Sequence, residues 1–200
     1  MWAADLRTAG PPFTGQAVVV AEEPGDQILA IASFMQVDAG IVAGRMARGC
    51  RCFTARAGEE VVAYGWLATG GEWIGEVELE IRPGPGEAYI WNCATVPAHR
   101  RKGYFRAVVA GMVAQARAEG LHRLWIGTLD IPPAKAVADA GFVPTVRFTS
   151  VWLSGTRWLR VRRASGVDRD LFRSARKVLA VGGRPLRLGT SMKRAETRVH

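Results

Sequence analysis

The hydrophobic pattern of this 200-residue sequence changes period near residue 104. Before that point, short β-branched and aromatic runs separated by turn signals predict strands. From Phe105 the apolar residues recur at helical spacing as far as Gly120, a residue typical of helix C-termini. Paired strands followed by strand, helix, strand and helix are typical of an α+β domain. The sequence therefore predicts one such domain over residues 1–163, with a basic C-terminal extension over 164–200 packed on it.

The first hundred residues predict a mostly antiparallel arrangement. Helical patterns cover residues 26–35 and a second segment that Asp38 can cap, ending near Met46. Strand patterns cover residues 16–21, 51–57, 61–69, 73–82 and 88–96. The last two runs flank a Pro-Gly-Pro-Gly turn, so they are predicted to pair with each other.

The second half predicts the remaining elements of the domain. Residues 121–129 form a strand pattern, and Asp130 can cap a helix that Gly141 ends. A closing hairpin is predicted from residues 144–153 and 156–163. Beyond it, an amphipathic helix over residues 167–180 is predicted to turn four residues inward: Leu171, Ala175, Val178 and Leu179.

The net charge of +9 is concentrated near the C-terminus. Residues 1–150 hold 14 Lys and Arg against 15 Asp and Glu, whereas residues 151–200 hold 13 against 3. Such a segment can attract nucleic acid, anionic lipid or an acidic substrate. It can equally be a solvated surface, the interpretation that we favour, which leaves nucleic acid as a secondary candidate partner.

Three cysteines are too few for a disulfide framework. Cys50 and Cys52 form a CxC pair without a second ligand pair, which favours free thiols over a metal site. The N-terminus has no basic start followed by an apolar stretch, and no apolar run is long enough for a membrane span. We therefore expect a cytoplasmic protein without a metal.

The segment from Val96 to Phe105 lies between a predicted strand and a predicted helix. The first amides of a helix have no partner within it, and the helix dipole is positive at that end. Gly103 lets a ligand approach the backbone, and four side chains add positive charge: Arg100, Arg101, Lys102 and Arg106. These features favour a pyrophosphate site. The alternative is an ordinary strand-to-helix junction with solvated basic residues.

This segment resembles the signature of the GNAT (N-acetyltransferase) superfamily, V-x-P-x-x-R-G-x-G-x-G/A or a close variant, between the fourth strand and third helix of that superfamily. A second landmark, a helix that starts at Asn and ends in Gly-Phe, is similar to Asp130 through Gly141 and Phe142. The resemblance covers about residues 16–163. It implies a mixed, mostly antiparallel central sheet with flanking helices, and two landmarks in order are more specific than one.

Several positions depart from the family pattern. Arg101 and Phe105 replace small residues of the signature; the first keeps its backbone amide, and the second is expected to turn into the core. Asp130 replaces the Asn and can still cap. Val137 stands where many relatives place a Tyr that serves as general acid to the leaving thiolate. The resemblance therefore leaves the general acid unassigned.

The resemblance implies an acyltransferase that moves an acetyl or other short acyl group from acetyl-CoA to a primary amine of a small molecule or protein. The amine is expected to attack the thioester directly. The resemblance places the cofactor contacts at a strand end, the following loop and two helix starts: Ala94, Thr95, Val96, Arg101, Lys102, Gly103, Tyr104, Phe105, Arg106 and Asp130.

The general base is predicted from the residues themselves. If the runs 73–82 and 88–96 pair symmetrically, three carboxylates share a face with aromatic residues: Glu76, Glu78 and Glu80 with Tyr89, Trp91 and Cys93. Mutual repulsion and partial burial raise the proton affinity of such carboxylates, as a base requires. The alternative is a solvated strand face. His99 and His122 are lesser candidates, and Asn92 could orient a substrate.

Two other functions stay open. The missing Tyr and altered glycines are compatible with a catalytically silent CoA-binding sensor or interaction module. The basic C-terminus is compatible with a nucleic-acid-associated protein, although the aromatic residues of that segment have core-like spacing. The sequence names no acceptor, and a homodimer is compatible with it.

Overall fold

The computed structural model describes residues 1–8, 18–75, 79–128, 131–153 and 156–179. The chain falls into two compact units, each built from two stretches: Met1–Gly70 with Pro83–Pro144, and Gly71–Arg82 with Thr145–His200. The domain boundary at residue 163 and the packing of residues 164–200 stay predictions.

The first unit contains a seven-stranded sheet and four α-helices in its described residues. The strands are β1 Trp2–Asp5, β2 Val19–Glu22, β3 Arg51–Ala57, β4 Glu60–Ala68, β7 Glu87–Thr95, β8 Arg123–Ile126 and β9 Val143–Pro144. The helices are α1 Ile28–Met35, α2 Ala39–Ala47, α3 Tyr104–Ala118 and α4 Ile131–Asp139, with a single 3₁₀ turn over Pro97–His99. The strand order across the sheet is β2-β3-β4-β7-β8-β1-β9. All neighbours are antiparallel except β7 and β8, which confirms the predicted mixed, mostly antiparallel sheet.

Helices cover both faces of this sheet. The apolar stripe of α3, which includes Val108 and Met112, packs in a core that also holds Leu67 and Ile90. The opposite face contributes Cys52 and Trp66 to a second core with the buried residues of α1 and α2. Because side chains alternate along each strand, neighbouring residues of one strand serve different cores. The cofactor side and the α1–α2 side of the sheet are thereby separated.

Local signals act as the sequence predicts. Asp38 caps α2, where its Oδ1 accepts a hydrogen bond of 2.7 Å from the amide of Gly40. Gly120 follows α3 with a φ of 77°, a left-handed conformation in which glycine carries no Cβ penalty. The hairpin of β3 and β4 and the strand β7 are also confirmed.

Strand β1 lies outside the predicted elements. Trp2–Asp5 pairs antiparallel with β8 on one side and contacts β9 on the other. Its four residues, Trp-Ala-Ala-Asp, show no clear alternation, so the pattern carried no strand signal. The predicted first strand over 16–21 corresponds to β2, and residues 16 and 17 lie outside the described residues.

In its described residues, the second unit contains two hairpins and a helix. The strands are β5 Glu72–Ile74, β6 Leu79–Ile81, β10 Val146–Leu153 and β11 Thr156–Arg163, and the helix is α5 Arg169–Val178. β10 and β11 pair over eight residues each, as predicted. Asp168 caps α5, and the helix turns Ala175, Val178 and Leu179 inward.

The prediction of one strand over residues 73–82 is wrong. Its two ends form separate strands that pair with each other, with Trp73 opposite Glu80. β7 pairs instead with β4 and β8. A Gly75 turn ends β5 after three residues, a break that strict alternation through the glutamates concealed. Within the described residues, no helix combines the length and apolar character that crossing a membrane requires.

Candidate active site

Strand β7 leaves one of its edges unpaired beyond Ile90. It runs parallel to β8 from Glu87 to Ile90, where Ile90 lies opposite Ile126, and that pairing then stops. β7 itself continues to Thr95, and its other edge stays paired with β4 as far as Ala63 opposite Thr95. Within the described residues, the backbone over 91–95 thus faces a wedge between two diverging strands. Unpaired strand amides and carbonyls can hydrogen-bond an extended ligand.

The wedge opens toward the loop that precedes α3. Gly103 is the N-cap of that helix and has a φ of 85°, and space is open where a Cβ would lie. Because Gly103 has no side chain to cap the helix, the first amides of α3 are left as donors. Arg101 also adopts a left-handed φ, of 63°. The family glycine that Arg101 replaces therefore matches a conformation that costs other residues about 1–2 kcal/mol.

The predicted cofactor residues divide into backbone and side-chain contributors. Tyr104 is buried and Phe105 packs against the core, so these two can offer a ligand only their amides. Arg101 and Lys102 are exposed, and Arg106 lies 3.9 Å from Asp139. The amide of Val96 donates to the carbonyl of Val62. Asp130 lies outside the described residues, and Ala94 and Thr95 lie on the unpaired edge.

His99 fastens this loop to the β3–β4 hairpin. Its Nε2 lies 3.0 Å from Oε1 of Glu60, and its ring lies 6.0 Å from that of Tyr104. His122, the other predicted lesser candidate, lies next to the opposite end of β7, 3.7 Å from Glu87. His99 is therefore placed to hold the loop, and His122 lies away from it along the strand.

A β-bulge interrupts the pairing of β4 and β7 where the wedge begins. Tyr64 lies opposite Ala94 but Trp66 lies opposite Trp91, so β7 has one extra residue between these pairs. Asn92 lies at this bulge and adopts a left-handed conformation with a φ of 45°. Bulges re-aim side chains and backbone groups, and they recur near active sites.

Arg45 supports the bulge from α2. Its Nη1 donates a hydrogen bond of 2.9 Å to Oδ1 of Asn92, and it is only 9% exposed. The guanidinium carbon lies 5.1 Å from the ring of Trp66 and 4.5 Å from that of Trp91. Sequence reasoning missed Arg45, although a charged residue three positions after the fully buried Val42 interrupts the apolar face of α2.

Burial raises the pKa of several groups on these strands. Desolvation raises the pKa of Cys93 to about 12, and the thiol lies over Gly65 and beside Met112. Desolvation likewise raises the pKa of Cys52 to about 12. The pKa of Tyr64 is also raised by burial, and the charge of Arg45 opposes that shift. All three groups are therefore protonated at neutral pH.

The predicted catalytic glutamates are only partly described. Glu76 and Glu78 lie outside the described residues. Glu80 lies on β6 of the second unit, and its Oε2 accepts a hydrogen bond of 2.7 Å from Arg82. Because β6 pairs with β5, the prediction that these glutamates share a strand face with Tyr89 and Trp91 is wrong. Their role as base stays a prediction. Val137 is fully buried, so a hydrocarbon occupies the position of the family phenol.

A wedge beside a central parallel strand pair, followed by a glycine-capped helix, is the geometry that the signature predicts. The model of the acetyltransferase (GNAT) family matches residues 21–142, which is more than half of the chain. The chain belongs to this family. No curated protein matches its sequence.

Solved acetyltransferase structures share the fold of this family member. One is a Salmonella typhimurium protein described as an acetyltransferase with its cofactor acetyl-CoA, at 18% identity and a TM-score of 0.52, covering 73% of this chain and 91% of that chain. Another is the ribosomal-protein-S18-alanine N-acetyltransferase from Escherichia coli, at 15% identity and a TM-score of 0.50, covering 66% and 81%. Identities this low show a common fold, and the acceptor must be argued from the site itself.

Proposed function

We propose that this acetyltransferase transfers an acetyl or other short acyl group from acetyl-CoA to a primary amine of a small molecule or protein. The observation that carries the proposal is the edge of β7 over residues 91–95, which has no strand partner in the described residues and which the loop over 96–103 connects to the N-terminus of α3. The free thiols Cys50, Cys52 and Cys93 fit a protein of a reducing compartment, and we place the reaction in the cytoplasm.

The chain can hold the donor along this path. Amides between Arg101 and Arg106 would bind the pyrophosphate, helped by the helix dipole and by the exposed Arg101 and Lys102. Backbone groups of Ala94 and Thr95 would bind the amides of the pantetheine arm. From Thr95 back to Trp91 the strand spans about 13 Å at about 3.3 Å per residue. An arm of roughly a dozen atoms has a comparable reach, since three backbone atoms of an extended chain span about 3.3–3.6 Å.

Such binding places the thioester carbonyl near the bulge at Asn92. The bound donor supplies an activated acyl group, so the protein needs no covalent step of its own. Its tasks are to align the amine and to offer donors to the carbonyl oxygen as charge develops there. Backbone amides beside the bulge are re-aimed by the left-handed Asn92 and are candidates for these donors.

The attacking amine must also lose a proton. We propose that Glu76, Glu78 or Glu80 acts as this base, directly or through a water. In the correct Glu→Gln variant, the acidic limb of the pH–rate profile should disappear. Full activity in all three single variants and in the triple variant would refute the assignment.

A specific observation favours the second candidate function, a CoA-binding sensor. Val137 is buried in the core and cannot protonate a leaving thiolate. A sensor would bind acetyl-CoA but release no CoA when amines are added.

Calorimetry and product analysis decide between the two functions. Purified protein is titrated with acetyl-CoA and then incubated with acetyl-CoA and an amine panel, with acetylated product detected by mass spectrometry. We expect saturable binding and amine-dependent product. Binding without product for every amine would favour the sensor, and absence of binding would refute both.

A further inference from the structure

Two aromatic side chains close the loop between β7 and α3 at its base. The ring of His99, at the end of the 3₁₀ turn, lies 6.0 Å from the ring of Tyr104, the first residue of α3, and is tilted by 58° against it. Contacts between aromatic side chains fall in this range of distance. Tyr104 is buried in the core that holds the apolar stripe of α3, so it offers the His99 ring a fixed surface. Residues 100–103, which we call the donor loop, are thereby held between two ends that contact each other.

The donor loop presents backbone amides. In the part of the chain that the structure describes, the amides of Arg101, Lys102 and Gly103 donate to no other group. Arg101 and Gly103 have left-handed φ values, of 63° and 85°. Successive amides that include a left-handed residue can converge on an anion. Because Arg101 is strained in this conformation, the arrangement persists only where its surroundings hold it.

Glu60 holds the His99 ring from the other side. Nε2 of His99 lies 3.0 Å from Oε1 of Glu60, the first residue of β4. The His99 side chain is 17% exposed, so water competes little for the ring, whereas the Glu60 side chain is 62% exposed. Within the described residues, the Glu60 carboxylate has no second partner. The His99 ring therefore joins the β3–β4 turn to the start of α3, and the donor loop lies between its two contacts.

We propose that His99, held by Glu60, is a positioning residue that fixes the donor loop for the pyrophosphate of acetyl-CoA. The inference rests on the proposed function. His99 acts through the backbone of the loop and needs no contact of its own with the ligand. Without its two contacts, the strained loop would relax, and binding would have to restore the arrangement of the amides at a cost in affinity. The thioester lies at the other end of the donor, so the acyl-transfer step itself should not depend on His99.

Two exchanges of His99 separate its two contacts. His99→Phe keeps a ring against Tyr104 and loses the contact with Glu60, whereas His99→Gln keeps a side-chain nitrogen for Glu60 and loses the ring. Each should raise Kd for acetyl-CoA, measured by calorimetry, by about threefold to tenfold, as the loss of one ordinary contact implies. Glu60→Ala should match His99→Phe. The variant with both of these exchanges should lose no more than either one alone, because both remove the same contact.

Two matched controls lie outside these contacts. Glu59→Ala removes an exposed carboxylate from the same turn, and His122→Gln removes a histidine that lies 3.7 Å from Glu87 at the opposite end of β7. Both should keep Kd for acetyl-CoA within about twofold of wild type. Unchanged Kd in the His99 and Glu60 variants would overturn the positioning role. Losses of the same size in the two controls would overturn it as well, since they would indicate a general effect of charge or stability.

Turnover with two donors distinguishes positioning of the loop from general damage to the fold. S-acetyl-pantetheine carries the same thioester as acetyl-CoA and lacks the pyrophosphate. In His99→Phe, we expect KM for acetyl-CoA to rise with Kd, while kcat, and kcat/KM for S-acetyl-pantetheine, stay within about twofold of wild type. Equal losses with both donors would overturn the proposal. Tight acetyl-CoA binding that the His99 variants weaken, in a protein that forms no product with any amine, would leave the positioning role standing and sink the proposed transfer reaction.

Discussion

Gly103 and Gly120, at the two ends of α3, allow the donor site to be tested against a matched control. Both have a left-handed φ, of 85° and 77°, both are exposed, and neither would meet another atom within 4 Å if it gained a Cβ. Substituting Ala at either position should therefore cost the same backbone strain, about 1–2 kcal/mol. In a protein of this size, that cost lowers Tm by roughly 2–4 °C per kcal/mol.

The two variants should differ in acetyl-CoA affinity. The space beside Gly103 is where a phosphate would approach the amides of α3, and a methyl group there would hold it away. Losing one charge-assisted hydrogen bond costs about 1.5–3 kcal/mol, which weakens Kd by about tenfold to about a hundredfold. Gly120→Ala should leave Kd within about twofold. Gly103→Val, with a β-branched side chain, should nearly abolish binding.

Calorimetry with acetyl-CoA measures Kd, and far-UV circular dichroism with thermal unfolding checks that α3 is still formed. Equal losses of Tm with unequal losses of affinity are the expected result. If Gly103→Ala and Gly103→Val both bound acetyl-CoA as tightly as wild type, the donor would not approach this helix, and the assignment of Arg101 through Arg106 would fail.

Four further predictions concern stability and reactivity. Gly65→Ala should destabilise the protein by about 1–3 kcal/mol, because its Cβ would lie 2.6 Å from Cys93 Sγ, and Cys93→Ala should restore much of that loss in a double-mutant cycle followed by urea unfolding. Cys52, which is fully buried and has a pKa raised to about 12, should react with a disulfide reagent at pH 8 only as fast as the protein opens. Rapid labelling of Cys52 in the native protein would contradict this. Glu87→Ala should cost about 3–5 kcal/mol by leaving Arg123 and the Trp125 N–H unpaired, whereas an unchanged Tm would show that the carboxylate is dispensable. Deleting residues 184–200 should leave Tm and acetyl-CoA affinity nearly unchanged. Deleting the chain from residue 167 onward should lower Tm, because this deletion removes the buried Val178 and Leu179. Loss of nucleic-acid binding in both deletion variants, with no change in Tm, would instead indicate a targeting role.

Local signals in the sequence were enough for most of the fold. Asp38 as a cap, Gly120 as a helix stop and the apolar stripe of α3 each act over a few residues, so single-sequence patterns record them. The prediction of one strand over residues 73–82 failed because apolar and polar residues alternate in the same way in one long strand and in the two arms of a hairpin. The Trp2–Asp5 strand was missed because its place between β8 and β9 depends on partners more than a hundred residues away.

The candidate site also contains one part that local sequence signals predict and one part that depends on distant contacts. The loop at Arg101 to Arg106 is contiguous in sequence, so its motif could be recognised. The contacts of Arg45 with Trp66, Trp91 and Asn92 join α2, β4 and β7, and only the fold brings these residues together. Their one local trace in the sequence is a charged residue on an otherwise apolar helix face.

Backbone strain marks both parts of the proposed donor site. In the described residues, three non-glycine residues have a left-handed φ, and two of them lie in this site: Asn92 on the edge of β7 and Arg101 in the loop before α3. Strained residues persist only where their surroundings hold them. Asn92 is held by Arg45, whose Nη1 donates a hydrogen bond of 2.9 Å to Oδ1 of Asn92. Exchanging Arg45 for Gln should therefore disturb the bulge beside the proposed thioester position and lower kcat, and an unchanged kcat would show that the bulge does not need this support.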